Sequence, residues 1–240
     1  MTWVGGPSGS FITRGDCYRG RTNASSSFYS NEVGSGTACD PGDPPPPPIG
    51  DQCGGNTDFT SACSPIVINF ERGPYRLTGA EAPVLFDISA SGTPIRIGWT
   101  AAGADEAFLW LDRDYNGIVG SGAELFGTAT PLRNGTTAAN GFIALRELDD
   151  TGDRRIDAAD QIWTQLMLWR DRNHDGHSQA DELEPLAASS VVAISLDEHW
   201  TGRRDPSGNG FRYQSTVWIA GAGDRSHPEP VYDLFFVAVP

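Results

Sequence analysis

Beyond residue 64, short apolar runs separated by glycine and proline turns occur in two regions, residues 67–99 and residues 191–239. These runs are rich in branched and aromatic residues, a composition typical of β-strands. The predicted strands are residues 67–70, 84–88, 95–99, 191–196, 211–220 and 231–239. The last three predict a C-terminal antiparallel β-segment.

Two apolar sets in the middle of the chain recur at helical spacing. They are Phe142, Leu145 and Leu148, and then Ile162, Trp163 and Leu166. Each set covers one face of a helix, which predicts short helices over residues 140–148 and 158–167. The polar residues between them predict a helix, a loop and a second helix.

The most specific motif is the run at residues 171–182, which satisfies the EF-hand calcium-loop pattern. Oxygen ligands alternate so that they converge on one cation, Gly176 permits the sharp turn, and Glu182 closes the loop with two oxygens. The predicted ligands are Asp171, Asn173, Asp175, His177 through its carbonyl, Gln179 and Glu182. A polar surface turn without metal is the alternative, because Asn, Asp and Gly also favour turns.

Two upstream runs have related spacing and predict further calcium sites, giving two to three ions in total. Residues 112–124 offer Asp112, Asp114, Asn116, the carbonyl of Ile118 and a closing Glu124 that is displaced by one position. Residues 149–160 offer Asp149, Thr151, Asp153, Arg155, Asp157 and Asp160. This second run has Arg154 where glycine normally allows a positive φ, which weakens its prediction. Residues 149–160 and 171–182 are expected to pair around a common apolar centre.

Two more segments imitate the beginning of this spacing. Residues 87–92 have hydroxyls where carboxylates would serve, which predicts a turn without calcium. Residues 205–210 lie between strand-like runs and predict a hairpin loop. The predicted fold class is therefore α+β, in which EF-hand-like or dockerin-like calcium loops with short helices are flanked by short strands.

Several blocks together resemble a known family. They are residues 64–70, 97–100, 107–113, 124–127, 156–160 and 168–183. Their order is similar to that in the calcium-binding region of large secreted repeats-in-toxin-associated bacterial proteins, and especially in the self-processing module of iron-regulated repeats-in-toxin proteins. The resemblance implies calcium-driven folding, cleavage of an Asp-Pro bond at the start of the module, and joining of the new carboxyl end to a lysine amine. Here the matching dipeptide is Ser64-Pro65 and the chain contains no lysine, which disfavours cleavage at that bond.

Charge and composition limit the classes of partner. The formal net charge is -14, so nucleic acid and acidic membranes are disfavoured. No apolar stretch approaches the ~20 residues that a membrane-spanning helix needs. The histidines lack a neighbouring nucleophile, and His174 and His177 are predicted on the solvent side of their loop. The sequence therefore predicts a protein that is not an enzyme.

Four segments are expected along the chain. Residues 1–43 form a Cys-containing Gly/Ser-rich tail, residues 44–63 a Pro-rich linker with Cys53 and Cys63, residues 64–186 the calcium-binding domain, and residues 187–240 a β-segment packed on it. Four cysteines allow three pairings, and local loops favour Cys17 with Cys39 and Cys53 with Cys63.

The sequence thus predicts a calcium-binding module of a secreted or cell-surface bacterial protein, in which Ca²⁺ stabilises the fold after export. One alternative is a calcium-activated self-processing module that cleaves an Asp-Pro bond. Another is an adhesin or wall-associated structural module. Calcium is the predicted partner, and the sequence does not identify a cell-surface or host partner.

Overall fold

A computed structural model of the protein describes residues 17–22, 25–30, 63–222 and 225–239. The chain divides into two compact units, Met1–Pro48 and Ile49–Pro240. In the first unit, strands β1 (Cys17–Thr22) and β2 (Ser25–Ser30) pair in antiparallel fashion. The four-segment division stays a prediction. The expected cysteine pairings also stay predictions, because they involve side chains outside the described residues.

The second unit is built mostly from antiparallel strands. Its elements are β3 (Ile66–Asn69), β4 (Val84–Phe86), β5 (Ile95–Ile97), β6 (Glu106–Leu111), α1 (Gly141–Arg146), β7 (Arg155–Asp157), β8 (Leu166–Trp169), β9 (Leu183–Pro185), β10 (Val191–Ser195), β11 (His199–Arg204), β12 (Gly210–Ala220), β13 (Ser226–Phe235) and β14 (Ala238–Val239). Two 3₁₀ turns, Gln161–Thr164 and Leu186–Ala188, complete the described elements.

Nine of these strands form one sheet with the order β7-β10-β12-β13-β3-β6-β8-β9, in which β11 also pairs with β12. The strands β14, β5 and β4 form a second, smaller sheet. Strand β3, the first that the structure describes in this unit, therefore lies in the middle of the large sheet, between β13 and β6.

The predicted α+β class is wrong, because the protein is mostly β and α1 is the single α-helix among the described residues. The helix expected over residues 158–167 is replaced by the 3₁₀ turn Gln161–Thr164 and the start of β8. A short continuous apolar run suits a buried strand as well as a helix, and here pairing with β6 and β9 decides for the strand.

The first predicted helix and the predicted strands are confirmed at the level of their existence. Helix α1 begins after Asn140, whose side chain accepts a hydrogen bond from the Ile143 N–H at 2.9 Å and so caps the helix. The hairpin expected at residues 205–210 joins β11 to β12, with Arg204 opposite Gly210.

Both faces of the sheet centre are buried. In β3, Ile66 and Ile68 face one apolar core, which also contains Phe142 of α1. Val67, between them, faces the other core together with Trp99 and other aromatic side chains. Successive residues of a strand point to opposite faces, so burial on both sides explains why β3 and β6 are apolar without alternation.

The core that contains Val67, Trp99, Phe108 and Trp169, which we call the aromatic core, lies beside two of the predicted calcium loops. Residues 171–182 connect β8 to β9, and Trp169 of β8 is paired directly with Leu183 of β9. Residues 112–124 follow β6, and Trp110 forms a bridge with Leu125 across that loop. These two loops therefore close paired strands, where an EF-hand would have helices.

Candidate functional site

The three candidate loops share one backbone conformation. We call residues 112–124 loop 1, residues 149–160 loop 2 and residues 171–182 loop 3. Each has a left-handed residue at its fourth and sixth positions: Tyr115 (φ 60°) and Gly117 (78°), Gly152 (71°) and Arg154 (67°), His174 (62°) and Gly176 (73°). Arg154 thus adopts the left-handed backbone conformation that its position requires, although residues other than glycine rarely do so.

The first aspartate organises this turn in every loop. Its Oδ2 atom accepts the N–H of the sixth residue, at 3.0 Å in loop 1, 2.9 Å in loop 2 and 2.8 Å in loop 3. The bonds are Gly117 to Asp112, Arg154 to Asp149, and Gly176 to Asp171. The same bond joins Gly92 to Asp87 at 2.7 Å, so the turn predicted at residues 87–92 has the same start.

Loop 1 brings three carboxylates together. Oxygens of Asp112, Asp114 and Glu124 lie within 4.8 Å of one another. Glu124 is 5% exposed, its Oε2 accepts the Gly120 N–H at 2.7 Å, and its Oε1 is buried without a hydrogen-bond partner in the described part of the chain. Burial raises the pKa of Glu124, the Gly120 N–H opposes this, and negative Asp114 adds to the rise. Such a group is suited to hold a hard cation.

The displaced Glu124 is accommodated by close packing of loop 1 on residues 87–92. The Gly122 N–H donates to the Asp87 carbonyl at 2.9 Å, and a Cβ atom at Gly122 would lie 1.9 Å from the Ile88 carbonyl oxygen. Glycine is therefore required at this contact. It lets the loop bulge so that an acid at the thirteenth position reaches the same carboxylates.

The first and last acids of loop 3 are bonded to tryptophans of the aromatic core. Asp171 is 2% exposed and accepts the Trp99 indole N–H at 2.8 Å, and Glu182 is 5% exposed and accepts the Trp169 indole N–H at 3.3 Å. Burial raises the pKa of Asp171, and its hydrogen bonds oppose that rise. The two indole rings also contact each other, with centroids 5.6 Å apart.

The remaining predicted ligands of loop 3 surround Asp175. Its Oδ2 accepts the side-chain amides of Asn173 at 2.9 Å and Gln179 at 2.8 Å, and its Oδ1 accepts the backbone N–H of His177 at 2.8 Å. His177 is exposed, as predicted. The polar groups of loop 3 therefore converge on one another.

The prediction that His174 faces solvent is wrong. Its imidazole lies between two backbone carbonyls, with Nδ1 2.6 Å from the Thr100 oxygen and Nε2 3.0 Å from the Ala82 oxygen. His174 is half-buried, and its ring turns toward the protein because these carbonyls are hydrogen-bond partners for it. His174 thus attaches loop 3 to the segments that flank the small sheet.

Loop 2 uses its closing acid in the same way as loop 3. Asp160 is 3% exposed and accepts the N–H groups of Asp150 at 2.9 Å, Thr151 at 3.2 Å and Asp157 at 3.0 Å. In loop 3, Glu182 accepts from the residues at the same three positions. The spacing common to both loops therefore reflects a common hydrogen-bond pattern.

The two arginines of loop 2 point to partners outside the predicted ligand set. The Arg154 guanidinium forms an ion pair with Asp197. The Arg155 guanidinium stacks on Trp218, 4.7 Å from the ring centroid. Two further predicted ligands, Thr151 and Asp153, are exposed.

Loop 3 contacts loop 1, whereas the sequence predicted pairing with loop 2. The backbone N–H of Val119 donates to the Ser178 hydroxyl at 2.8 Å. In loop 2, residues 155–157 form β7, which pairs with β10 at the opposite end of the strand order from β8 and β9. Sheet pairing separates loops that are neighbours in sequence.

A second polar cluster surrounds the Ser64-Pro65 peptide. Ser64 is 1% exposed, its N–H donates to the Thr128 hydroxyl at 3.1 Å, and its hydroxyl accepts the Thr128 N–H at 3.2 Å. A Cβ atom at Gly127 would lie 1.5 Å from the Ser64 carbonyl oxygen, so the chain is in close contact there. The dipeptide is therefore held in one conformation just before β3.

A buried carboxyl group adjoins this dipeptide. Asp233 lies in β13 opposite Ile66, is 0% exposed, and accepts the Gly141 N–H at 3.0 Å. Burial raises the pKa of Asp233 to about 7, while the Ser64 side chain, the Gly141 N–H and Arg212 act to lower it. No pattern in the sequence indicates this residue, because it stands alone in a strand far from Ser64 along the chain.

Comparison with known proteins identifies the family of this chain. The family model described as the SPM domain, the self-processing module, matches residues 66–230. The chain belongs to the SPM domain family. It is also 38% identical over 135 residues to the iron-regulated protein FrpA of Neisseria meningitidis serogroup C. That alignment covers 56% of this chain and 12% of the relative, so the chain spans a small part of the relative's length.

The SPM match contains all three loops, helix α1 and most of the large sheet. It begins at Ile66, immediately after Ser64-Pro65. The predicted resemblance to the self-processing module of repeats-in-toxin proteins is confirmed at this level. Among the described residues of the SPM domain and its flanks, no helix is long and apolar enough to cross a membrane.

Sequence reasoning missed several polar groups that hold these sites. They are Trp99, Trp169, Ser178, Thr128 and Asp233. Neither tryptophan was assigned to a site from the sequence, and both are fully buried. A polar atom on a core side chain is the one signal that pointed to their second role, since buried indole N–H groups usually find an acceptor.

Proposed function

We propose that this SPM domain is a calcium-responsive self-processing module of a secreted or cell-surface repeats-in-toxin-type protein. Its family membership and its similarity to FrpA support the self-processing part. The observation that carries the calcium part is the group of Asp112, Asp114 and Glu124, with a buried Glu124 oxygen that lacks a partner among the described residues.

Two to three Ca²⁺ ions are the expected cofactors. In loop 1 the ligands would be Asp112, Asp114, Asn116, Glu124 and the Ile118 carbonyl. In loop 3 they would be Asp171, Asn173, Asp175, Gln179, Glu182 and the His177 carbonyl. Loop 2 would use Asp149, Thr151, Asp153, Asp157, Asp160 and the Arg155 carbonyl. Carboxylate, amide and carbonyl oxygens are the ligands that Ca²⁺ prefers, and the two arginines of loop 2 have partners elsewhere.

Calcium acts on folding in this proposal. A cation that binds the folded protein and not the unfolded chain stabilises the fold by mass action. It also offsets repulsion among carboxylates, which is strongest where they are buried together. The stabilised fold then holds residues 64–65 in place for processing.

Calcium is expected to raise the melting temperature of the protein, and Glu124→Gln is expected to remove much of that rise. The amide keeps the size of Glu124 but loses the charge and one of two equivalent oxygens, so loop 1 should lose at least tenfold in affinity, about 1.4 kcal/mol. Circular dichroism melts at a series of free calcium concentrations measure the shift. Tryptophan fluorescence should respond as well, since Trp99 and Trp169 bond to loop 3.

Glu71→Gln is the charge-matched control, because Glu71 is exposed and lies outside all three loops. It should leave the calcium response unchanged. A wild-type protein whose melting temperature and fluorescence are the same with and without calcium would contradict the calcium proposal.

The second part of the proposal assigns processing to the peptide bond between Ser64 and Pro65. Its support is its position directly before the SPM match and its burial between Gly127, Thr128 and Asp233. In the resembling modules the residue before proline is aspartate, whose side-chain carboxylate can serve as an internal nucleophile. The aspartate carboxylate attacks its own backbone carbonyl carbon to form a five-membered cyclic anhydride, the bond to the proline nitrogen breaks, that nitrogen takes a proton, and water opens the anhydride. A serine hydroxyl would have to close a strained four-membered ring to reach its own carbonyl carbon, so the native chain should process far more slowly.

Ser64→Asp is expected to convert the protein into one that cleaves itself before Pro65 when calcium is added. Ser64→Asn is the matched control, because asparagine has the size of aspartate without the carboxylate. Denaturing gels and intact-mass measurement detect the new amino terminus at Pro65. A Ser64→Asp protein that folds, binds calcium and stays intact for as long as the Ser64→Asn protein would contradict the assignment.

A further inference from the structure

Loops 1 and 3 are joined by one hydrogen bond at equivalent positions. Val119 is the eighth residue of loop 1 and Ser178 is the eighth residue of loop 3, and the Val119 N–H donates to the Ser178 hydroxyl at 2.8 Å. Val119 is 5% exposed and belongs to the aromatic core, so its N–H is poorly placed to find water instead. The bond is therefore worth more than an exposed one.

The residue after each member of this bond holds the closing acid of its own loop. The Gly120 N–H donates to Glu124 at 2.7 Å, and the Gln179 N–H donates to Glu182 at 3.3 Å. The residue before each member, Ile118 or His177, offers the seventh-position carbonyl. A cation that draws these groups inward in one loop must move the shared bond.

A continuous chain of contacts thus connects the two closing acids. It runs from Glu124 through Gly120 and Val119 to Ser178, and then through Gln179 to Glu182. Among the described residues, loop 2 forms no hydrogen bond with loop 1 or loop 3, and its Ile156 pairs with Ile194 of β10. Coupling should accordingly involve loops 1 and 3 and exclude loop 2.

We propose that loops 1 and 3 bind calcium as a coupled pair, in which a cation in either loop raises the affinity of the other through the Val119–Ser178 hydrogen bond. This inference rests on the calcium binding proposed above and adds to it a mechanism of cooperativity. Coupling of this kind is reciprocal, so loop 1 should assist loop 3 by the same factor. Loss of one hydrogen bond corresponds to a factor of about fivefold.

The test uses two variants alone and together. Asp175→Asn weakens loop 3, and Ser178→Ala removes the acceptor of the shared bond. In the protein that retains Ser178, Asp175→Asn should raise the calcium midpoint of loop 1 about fivefold, and in the Ser178→Ala background it should leave that midpoint unchanged. Ser178→Thr keeps a hydroxyl and should keep the coupling.

The amide resonances of Gly117 and Gly176 report the two loops separately in a calcium titration followed by NMR, because each N–H bonds to the first aspartate of its loop. The Gly152 amide reports loop 2 and should keep its midpoint in every variant. An unchanged Gly117 midpoint after Asp175→Asn, with Ser178 present, would overturn the coupling while leaving calcium binding intact. An equal shift with and without Ser178 would overturn the role of the shared bond. If calcium moves none of the three resonances, the calcium proposal itself fails.

Discussion

Gly127→Ala is expected to destabilise the protein by roughly 3 kcal/mol or more. Among the described glycines, Gly127 is the position where an added methyl group makes the shortest contact. The added Cβ would lie 1.5 Å from the Ser64 carbonyl oxygen, 2.5 Å from the Ser64 carbonyl carbon and 3.0 Å from the Pro65 Cα. All three are backbone atoms, so no side chain can rotate away to make room. Either the segment before β3 or the one after Leu125 must move.

Urea unfolding followed by circular dichroism, at one fixed free calcium concentration, measures this loss. Gly210→Ala is the matched control, because its Cβ would meet side-chain atoms of Arg212 and Phe235 at an ordinary 3.5 Å. That control should change the free energy of unfolding by less than about 1 kcal/mol. Similar stabilities for the two variants would show that the Ser64 carbonyl does not contact Gly127 in solution.

Asp233→Asn is expected to remove a large part of the pH dependence of stability. The pKa of Asp233 is raised from 3.8 to about 7 in the folded protein because the carboxyl is buried. Between these values the unfolded chain releases the proton and the folded protein keeps it. The folded state therefore binds more protons, and the free energy of unfolding falls as the pH rises from about 4 to about 7. Above that window both states are ionised and the loss is complete.

From pH 5 to pH 8, ionisation of Asp233 alone should lower the free energy of unfolding by roughly 3 kcal/mol. This is about 1.4 kcal/mol for each of the two pH units below the pKa of Asp233 in the folded protein. Urea unfolding of both proteins at pH 5 and pH 8 measures the difference, with calcium held in excess. The wild type should lose more stability than Asp233→Asn across that interval. Parallel losses in the two proteins would contradict a raised pKa at Asp233.

The sequence predicted the loop geometry better than the elements that flank the loops. The spacing of Asp, Asn and Gly encodes local turns, and left-handed residues occur where the motif requires them, even at Arg154. The flanking residues 166–169 carry no such local information. Their conformation depends on pairing with β6 and β9, which lie far away in sequence, so a helix and a strand were equally consistent with the run.

Pairing between the loops was also beyond sequence reasoning. Loops 2 and 3 are neighbours along the chain, but residues 155–157 join β10 and separate loop 2 from loop 3. Loop 1 meets loop 3 through Ser178, a residue that has no role in the calcium pattern. The contact of Ser64 with Asp233 has the same origin, because it depends on β3 and β13 lying side by side.

The central position of β3 also governs when the module can become complete. Its neighbour β6 follows it closely along the chain, whereas its other neighbour, β13, follows only at Ser226–Phe235. A molecule that emerges from a ribosome or a membrane channel with its amino end first therefore carries β3 paired along one edge alone until β13 has followed. The buried surroundings of Ser64 and Pro65 are completed only when Asp233 of β13 joins Gly127 and Thr128, although Ser64 and Pro65 emerge well before it. The proposed reaction at that bond is therefore timed by the arrival of β13.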